Sequence, residues 1–269
     1  MQETKPRRTI FENLVPAILV VTVGLAFAVG VLWQKVQNLE GGGAKTTTTT
    51  TGATAVPKQP TVSLDTVKGL FDKDLMKFGD GKRKVLFVEV ADPSCPYCHV
   101  AGGFNPELSA QIDARFKYIS EGGTYLPPVP EMKKLVESGK ASYVYIYTPG
   151  HGNGEMGTKA MYCAYEKGKF WQVHDLLMTN AGYDLLNNNI KNDKSKSQEL
   201  ADFLKSAMSA TDLKACLDSG KYDDRLASDT ALARSLGVTG TPGFMVNDQL
   251  FPGAYSYTDL KTPVDEALK

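Results

Sequence analysis

A strand that runs straight into a cysteine pair sets the tightest limit on how this chain folds. Residues 84–91, KVLFVEVA, are rich in β-branched and aromatic side chains, the composition of a buried strand. Asp92-Pro93 ends it, and Cys95-Pro96-Tyr97-Cys98 follows after one more residue. Proline is favoured in a first helical turn, so a helix is expected to open at the first cysteine. A cysteine there has its thiolate stabilised by free N–H groups and the helix dipole, and the thiolate is the form that attacks disulfides. Cys98, one turn further in, is expected to be more shielded and placed to close a disulfide on Cys95.

The same residues support a second reading. With His99 the motif becomes C-x-x-C-H, the spacing that attaches a c-type haem, with His99 as axial ligand. Such a site predicts a helical setting and often a distal methionine, whereas this motif follows a strand. A zinc site lacks a second C-x-x-C or a close Cys/His pair to supply the other ligands. The glycines around His151, in TPGHGNGEMG, lack the strand-to-helix spacing of a nucleotide site. No cofactor is expected. The 30 basic and 30 acidic residues balance, so no overall field favours nucleic acid.

Residues 14–33, LVPAILVVTVGLAFAVGVLW, carry no charge and match the roughly 20 residues that span a bilayer. Ala26-Phe27-Ala28 resembles a signal-peptide cleavage site, but the apolar run continues past it, which favours an uncleaved anchor. Lys5, Arg7 and Arg8 precede the span while Lys35 and Lys45 follow, a bias towards a cytoplasmic N-terminus. The expected layout is a cytoplasmic tail (1–13), a transmembrane anchor (14–33), a Gly/Thr/Pro-rich tether (34–61) and a folded part (62–269) on the extracytoplasmic side.

Within the folded part, ASYVYIYTP at 141–149 alternates Tyr143, Tyr145 and Tyr147 with Val144 and Ile146, the pattern of a half-buried strand. Helical spacing then dominates from Gly157 to Gly237. Strand signals return at 243–246 and 249–251 around an Asn247-Asp248 turn, and YTDLKTPVDEAL at 257–268 suggests a closing helix. The order points to an α/β core with a helical insertion at about 155–236. In GVTGTPGF at 237–244, Thr241-Pro242 is expected to hold a tight turn, with a cis bond as one option.

CPYC after a strand, GKFWQVHDLL at 168–177 and GVTGTPGFMVN at 237–247 together resemble the DsbA-like thiol oxidoreductases over roughly residues 62–269. That resemblance implies a thioredoxin-like fold with an inserted helical domain, Cys95 as nucleophile, Cys98 as resolving thiol, and a cis peptide at Thr241-Pro242 facing them. Pro96, Tyr97, Thr241 and Pro242 would then line the contact with an extended substrate segment. It also implies a buried acid near the inner sulfur, and Glu89 occupies that place, where burial would raise its pKa into the range useful for moving the Cys98 proton. The expected activity is introduction of disulfides into reduced exported proteins, with a quinone-linked membrane oxidase of the DsbB or VKOR kind as recycling partner. Reduction or isomerisation by the same pair stays open, because Pro-Tyr between the cysteines does not fix the direction.

Residues 99–129 lengthen the link after Cys98 relative to many relatives. Gly102-Gly103 should interrupt the helix and Asn105-Pro106 restart it as cap and first turn, giving either a groove wall or mere decoration. Cys163 and Cys216 fall in helical segments; in an oxidising compartment they are expected to pair, the alternative being two buried free thiols. His174 with Trp171 suits packing between domains; His151 suits ordinary loop placement, the alternative being that its Gly-rich loop approaches the active site.

Overall fold

The computed structural model describes residues 62–269; the span at 14–33 and its tether lie outside them. The chain begins with α1 (Leu64–Leu70), capped by the Ser63 side chain, and the short strand β1 (Met76–Phe78). Strand β2 (Val85–Ala91) leads into α2 (Pro96–Gly102), α3 (Pro106–Ile112) and α4 (Pro128–Glu137), and then β3 (Ala141–Tyr147). Six α-helices follow before the sheet resumes, with a π-helical turn at Leu185–Ile190 and a 3-10 turn at Lys194–Lys196 among them: α5 (Glu155–Glu166), α6 (Phe170–Leu177), α7 (Asn180–Asp184), α8 (Ser197–Phe203), α9 (Ala210–Asp218) and α10 (Asp223–Ser235). The hairpin β4 (Gly243–Val246) and β5 (Gln249–Pro252) precedes α11 (Tyr257–Leu268), which starts in a Ser256/Asp259 capping box.

The five strands lie in the order β1-β3-β2-β4-β5. β2 and β3 run parallel, from Val85 opposite Ala141 to Ala91 opposite Tyr147, and the other pairs are antiparallel. Three-residue β1 is too short to show a period in the sequence, yet it covers the outer edge of β3. Helices lie against both faces, so β3 is buried along its whole length and not on one side only. Tyr143, Tyr145 and Tyr147 enter the larger core with Phe87, Phe170 and Phe244, while Val144 and Ile146 pack against α1 and α10. The half-buried expectation for β3 is therefore corrected: its tyrosines face the helices of the 155–235 segment, not water.

The glycine pair after Cys98 behaves as expected. Gly103 takes φ 83°, ending α2, and the Asn105 side chain accepts from Leu108 N to start α3. A small third core of Val100, Phe116, Tyr118 and Tyr125 fixes the following loop onto α2.

Cys163 on α5 and Cys216 on α9 form a disulfide that closes a loop of 53 residues. Replacing both with alanine is expected to cost about 4 kcal/mol by the loop-entropy relation. The corresponding loss in Tm is about 10 °C. Thermal circular dichroism checks it, and an unchanged midpoint would mean that the bond constrains nothing.

Candidate active site

β2 delivers the chain to the edge of the sheet, and the turn at Asp92-Pro93-Ser94 aims it into α2. Cys95 N–H donates to Asp92 O at 2.9 Å, closing that turn. Cys95 is the N-cap of α2, and its carbonyl accepts from the N–H groups of Cys98 and His99. Both thiols are reduced and buried, Cys98 completely. The Cys95 thiol donates to Thr241 O at 3.4 Å, and Thr241-Pro242 is cis. Pro96 is half-buried beside it, while Tyr97 is 42 % exposed and sets its ring edge-on to Phe116.

The two sulfurs differ in acidity because they differ in surroundings. The hydrogen bond from Cys98, helped by Thr241 and by backbone groups of the first turn, lowers Cys95 to about 7 against the opposing effect of burial. Burial and the neighbouring Cys95 push Cys98 well above its ordinary value. One thiol is ready to react at neutral pH and the other holds its proton.

Asp92, passed over in the sequence as a strand terminator, organises this end of the sheet. It is buried, and Oδ1 accepts from Ser94 N and Ser94 Oγ at 2.8 and 2.7 Å. Oδ2 accepts from Gly150 N, His151 N and Gly152 N at 2.8, 2.9 and 3.4 Å. The loop around His151 thus reaches the site through its backbone, while the His151 side chain is exposed. A side chain at Gly150 would collide with the Thr241 hydroxyl and press on Cys95, so the close approach requires glycine. An Asp-Pro turn next to a Gly-rich loop was the only sequence signal for this arrangement.

Glu89 lies on the same face of β2 as Phe87 and Ala91, the face that packs against Cys95 and Cys98. Its Oε2 accepts from the Tyr143 hydroxyl. Burial pushes its pKa up, partly offset by His174 and by that hydrogen bond. The hydrogen-bond partners of Cys98 are Cys95 and the Asp92 N–H, so Glu89 does not touch the sulfur directly.

His99 does not fit a haem ligand. It is buried, and its Nδ1 and Nε2 each stand 2.9 Å from a backbone carbonyl, those of Met178 and Pro93. Burial lowers it to about 4. With both nitrogens turned to carbonyls, neither is free to reach an iron beside Cys95 and Cys98.

The loop after α3 also forms one wall of a groove of about 450 Å³, between Arg115, Phe116 and Tyr125 on one side and Tyr255 and Asp259 on the other. Phe116 of this wall also packs edge-on against the Tyr97 ring, 5.8 Å between centroids.

A putative protein-disulfide oxidoreductase of Rickettsia conorii is 24% identical over 230 residues, 84% of this chain and 72% of the relative. Na(+)/H(+) antiporter NhaA 3 of Salinispora tropica is 26% identical over 200 residues, where this chain, matched over 73% of its length, spans only 25% of that protein. Among solved structures, BdbD from Bacillus subtilis superposes with a TM-score of 0.53 at 18% identity, over 72% of this chain and 92% of that one. Alpha-DsbA1 of Wolbachia pipientis gives 0.53 at 18%, over 72% and 91%. At these identities the structures speak to the fold, a mixed α/β thioredoxin-like one. The family model for thioredoxin matches residues 130–266, just over half of the sequence, and the chain accordingly belongs to the thioredoxin family.

Proposed function

We propose that this protein is a membrane-tethered thiol–disulfide oxidoreductase that introduces disulfides into reduced exported proteins. The observation that carries the proposal is the opposed displacement of its two thiols, Cys95 lowered to about 7 and buried Cys98 raised, beside the Thr241 carbonyl. The Rickettsia relative, a putative protein-disulfide oxidoreductase, supports the same activity. The Cys163–Cys216 disulfide supports an oxidising compartment, where such bonds persist, and so the extracytoplasmic side of a membrane anchored by residues 14–33.

In the oxidised enzyme a substrate thiolate attacks Cys95 Sγ. The Cys95–Cys98 bond breaks, a Cys95–substrate disulfide forms, and Cys98 leaves as a thiolate that takes up a proton. A second substrate thiolate then attacks the substrate sulfur of that bond and expels Cys95 as thiolate. The substrate loses two electrons and the enzyme holds them as its dithiol. Pro96 and Tyr97 from α2, with Thr241 and Pro242, flank Cys95 and would receive the backbone of the substrate segment. Glu89 gives a proton to Cys98 when it leaves and removes it when it attacks, the exchange passing through a bridging group because the two do not touch. A quinone-linked membrane oxidase of the DsbB or VKOR kind is the proposed acceptor of the electrons.

A depressed pKa at Cys95 stabilises the dithiol form and so favours electron uptake by the disulfide. The test of direction is the reduction potential of Cys95–Cys98 against glutathione buffers. A value above about −200 mV is expected for a disulfide donor. One near about −270 mV would instead assign the chain to disulfide reduction.

A further inference from the structure

Buried polar atoms in folded proteins almost always have a partner. Among the described residues, five buried side chains leave a polar atom without one; the Tyr147 and Thr241 hydroxyls are two of them, and the other three are Oε1 of Glu89, the hydroxyl of Tyr145 and Nε2 of His174. They are neighbours. Glu89 stands opposite Tyr145 in the β2–β3 register, and the Tyr145 ring lies edge-on to the His174 ring, centroids 6.5 Å apart. Trp171 closes the group, packing on Tyr143 at 5.1 Å and on His174 at 5.5 Å. We propose that Glu89, Tyr145 and His174 enclose an internal water site, and that His174 with Asp175 passes protons between that site and solvent.

Three converging polar atoms of these types match the usual partners of a buried water. The far side of the histidine supplies the route outward. His174 Nδ1 meets Asp175 Oδ1 at 3.0 Å, and Asp175 Oδ2 meets Lys133 Nζ at 2.9 Å. His174 is buried while Asp175 and Lys133 are 25% and 24% exposed, so the line runs from the protein interior to water. Because a carboxylate accepts at Nδ1, the neutral ring carries its hydrogen there and presents a lone pair at Nε2 to the interior. A proton shed by Glu89 crosses the water to Nε2, and the proton on Nδ1 leaves through Asp175. His174 is thus a positioning residue that acts on the chemistry only through Glu89. The groups bearing on Glu89 are Tyr143 from β3 and His174 from α6; Tyr145 from β3 and Tyr125 from the loop before α4 feel its charge, and His99 in turn bears on His174.

The inference rests on the redox role proposed for Cys95 and Cys98, and the test separates the two. Reduced protein is mixed with oxidised glutathione: Cys95 thiolate displaces glutathione, and Cys98 then attacks Cys95, releasing the second glutathione. Only the second step needs the Cys98 proton removed. His174→Gln takes away the group that, on accepting the proton at Nε2, becomes the cation favouring the Glu89 carboxylate, so the pH midpoint of ring closure should rise by about one unit, a tenfold slowing at neutral pH. The first step should stay within about twofold of the wild-type rate. Asp175→Asn, at a partly exposed position that preserves packing, should shift ring closure in the same direction by about threefold, and decides the matter if His174→Gln does not fold. The Glu89 carboxyl band in infrared spectra, assigned by Glu89→Gln, should show a larger protonated fraction in both variants at fixed pH. An unchanged band and an unchanged ring-closure profile, or equal slowing of both steps, would overturn the water route. Failure of the wild-type protein to react at Cys95 would instead overturn the redox role itself.

Discussion

Alanine in place of Cys98 is expected to turn the protein into a trap: Cys95 thiolate attacks a disulfide in the partner protein, one partner sulfur leaves as thiolate, and the mixed disulfide on Cys95 persists. In the wild type the mixed disulfide on Cys95 is attacked from one helical turn away, and such an oriented thiol acts at an effective concentration far beyond that of any free thiol. Without it, release waits for a second thiol from the substrate or solution, and the lifetime of the mixed disulfide should rise by about a thousandfold or more. Serine at Cys95 should abolish exchange, since the other free thiol, Cys98, is fully buried and holds its proton, and Cys163 and Cys216 are tied up with each other. A pH signature accompanies the trap. The Cys98 hydrogen bond is the largest cause of the lowered Cys95 value, so alkylation of the wild type should rise tenfold per unit up to about pH 7 and level off above it. In Cys98→Ala the midpoint should move up towards the ordinary thiol value. Mass spectrometry of iodoacetamide-quenched samples measures both effects. A single midpoint shared by the two proteins would show that Cys98 does not tune Cys95, and loss of the trap would place the resolving thiol elsewhere.

The redox pair and the sheet that presents it were legible because each depends on local chemistry. A β-branched run, Asp-Pro and then Cys-Pro state a strand, a stop and a helix start within fifteen residues, 84–98, and the structure follows with β2 and α2. The turn residues Gly103, Asn105 and Pro106 were equally explicit, because a positive φ and a side-chain cap are properties of single positions. What stayed hidden depends on contacts far apart in the chain. The alternation in β3 put its tyrosines together on one face but did not reveal that both faces are buried, which is set by helices distant in the chain. Asp92 shows the same limit: its partners are 58 to 60 residues away, and nothing near Gly150 announces that three N–H groups turn towards one carboxylate. Tyr143, which holds Glu89, was read as one rung of a stripe because the pairing of β2 with β3 decides which rung meets the acid.

Asp92→Ala is expected to be the most damaging single substitution outside the cysteines. The carboxylate is buried and accepts from Ser94 and from three consecutive backbone N–H groups, so its removal takes the shared acceptor from several donors at once. A buried donor left without a partner costs about 1–3 kcal/mol. With several donors losing one acceptor, a total of about 3 kcal/mol is the destabilisation expected here. Asp92→Asn should cost clearly less, since its amide oxygen can still accept from the 150–152 loop while the Ser94 hydroxyl turns to accept from the amide nitrogen. The damage should also reach the chemistry. Gly150 lies against the Thr241 hydroxyl and Cys95, and the Thr241 side chain helps to lower Cys95, so a loop released from residue 92 loosens that support and Cys95 alkylation should become slower at neutral pH. Urea unfolding of the reduced proteins gives the stability order, and the alkylation profile gives the effect on the sulfur. A stability for Asp92→Ala within about 1 kcal/mol of wild type, or a worse result for Asp92→Asn than for Asp92→Ala, would mean that the loop is held by its glycines and its packing and not by this carboxylate.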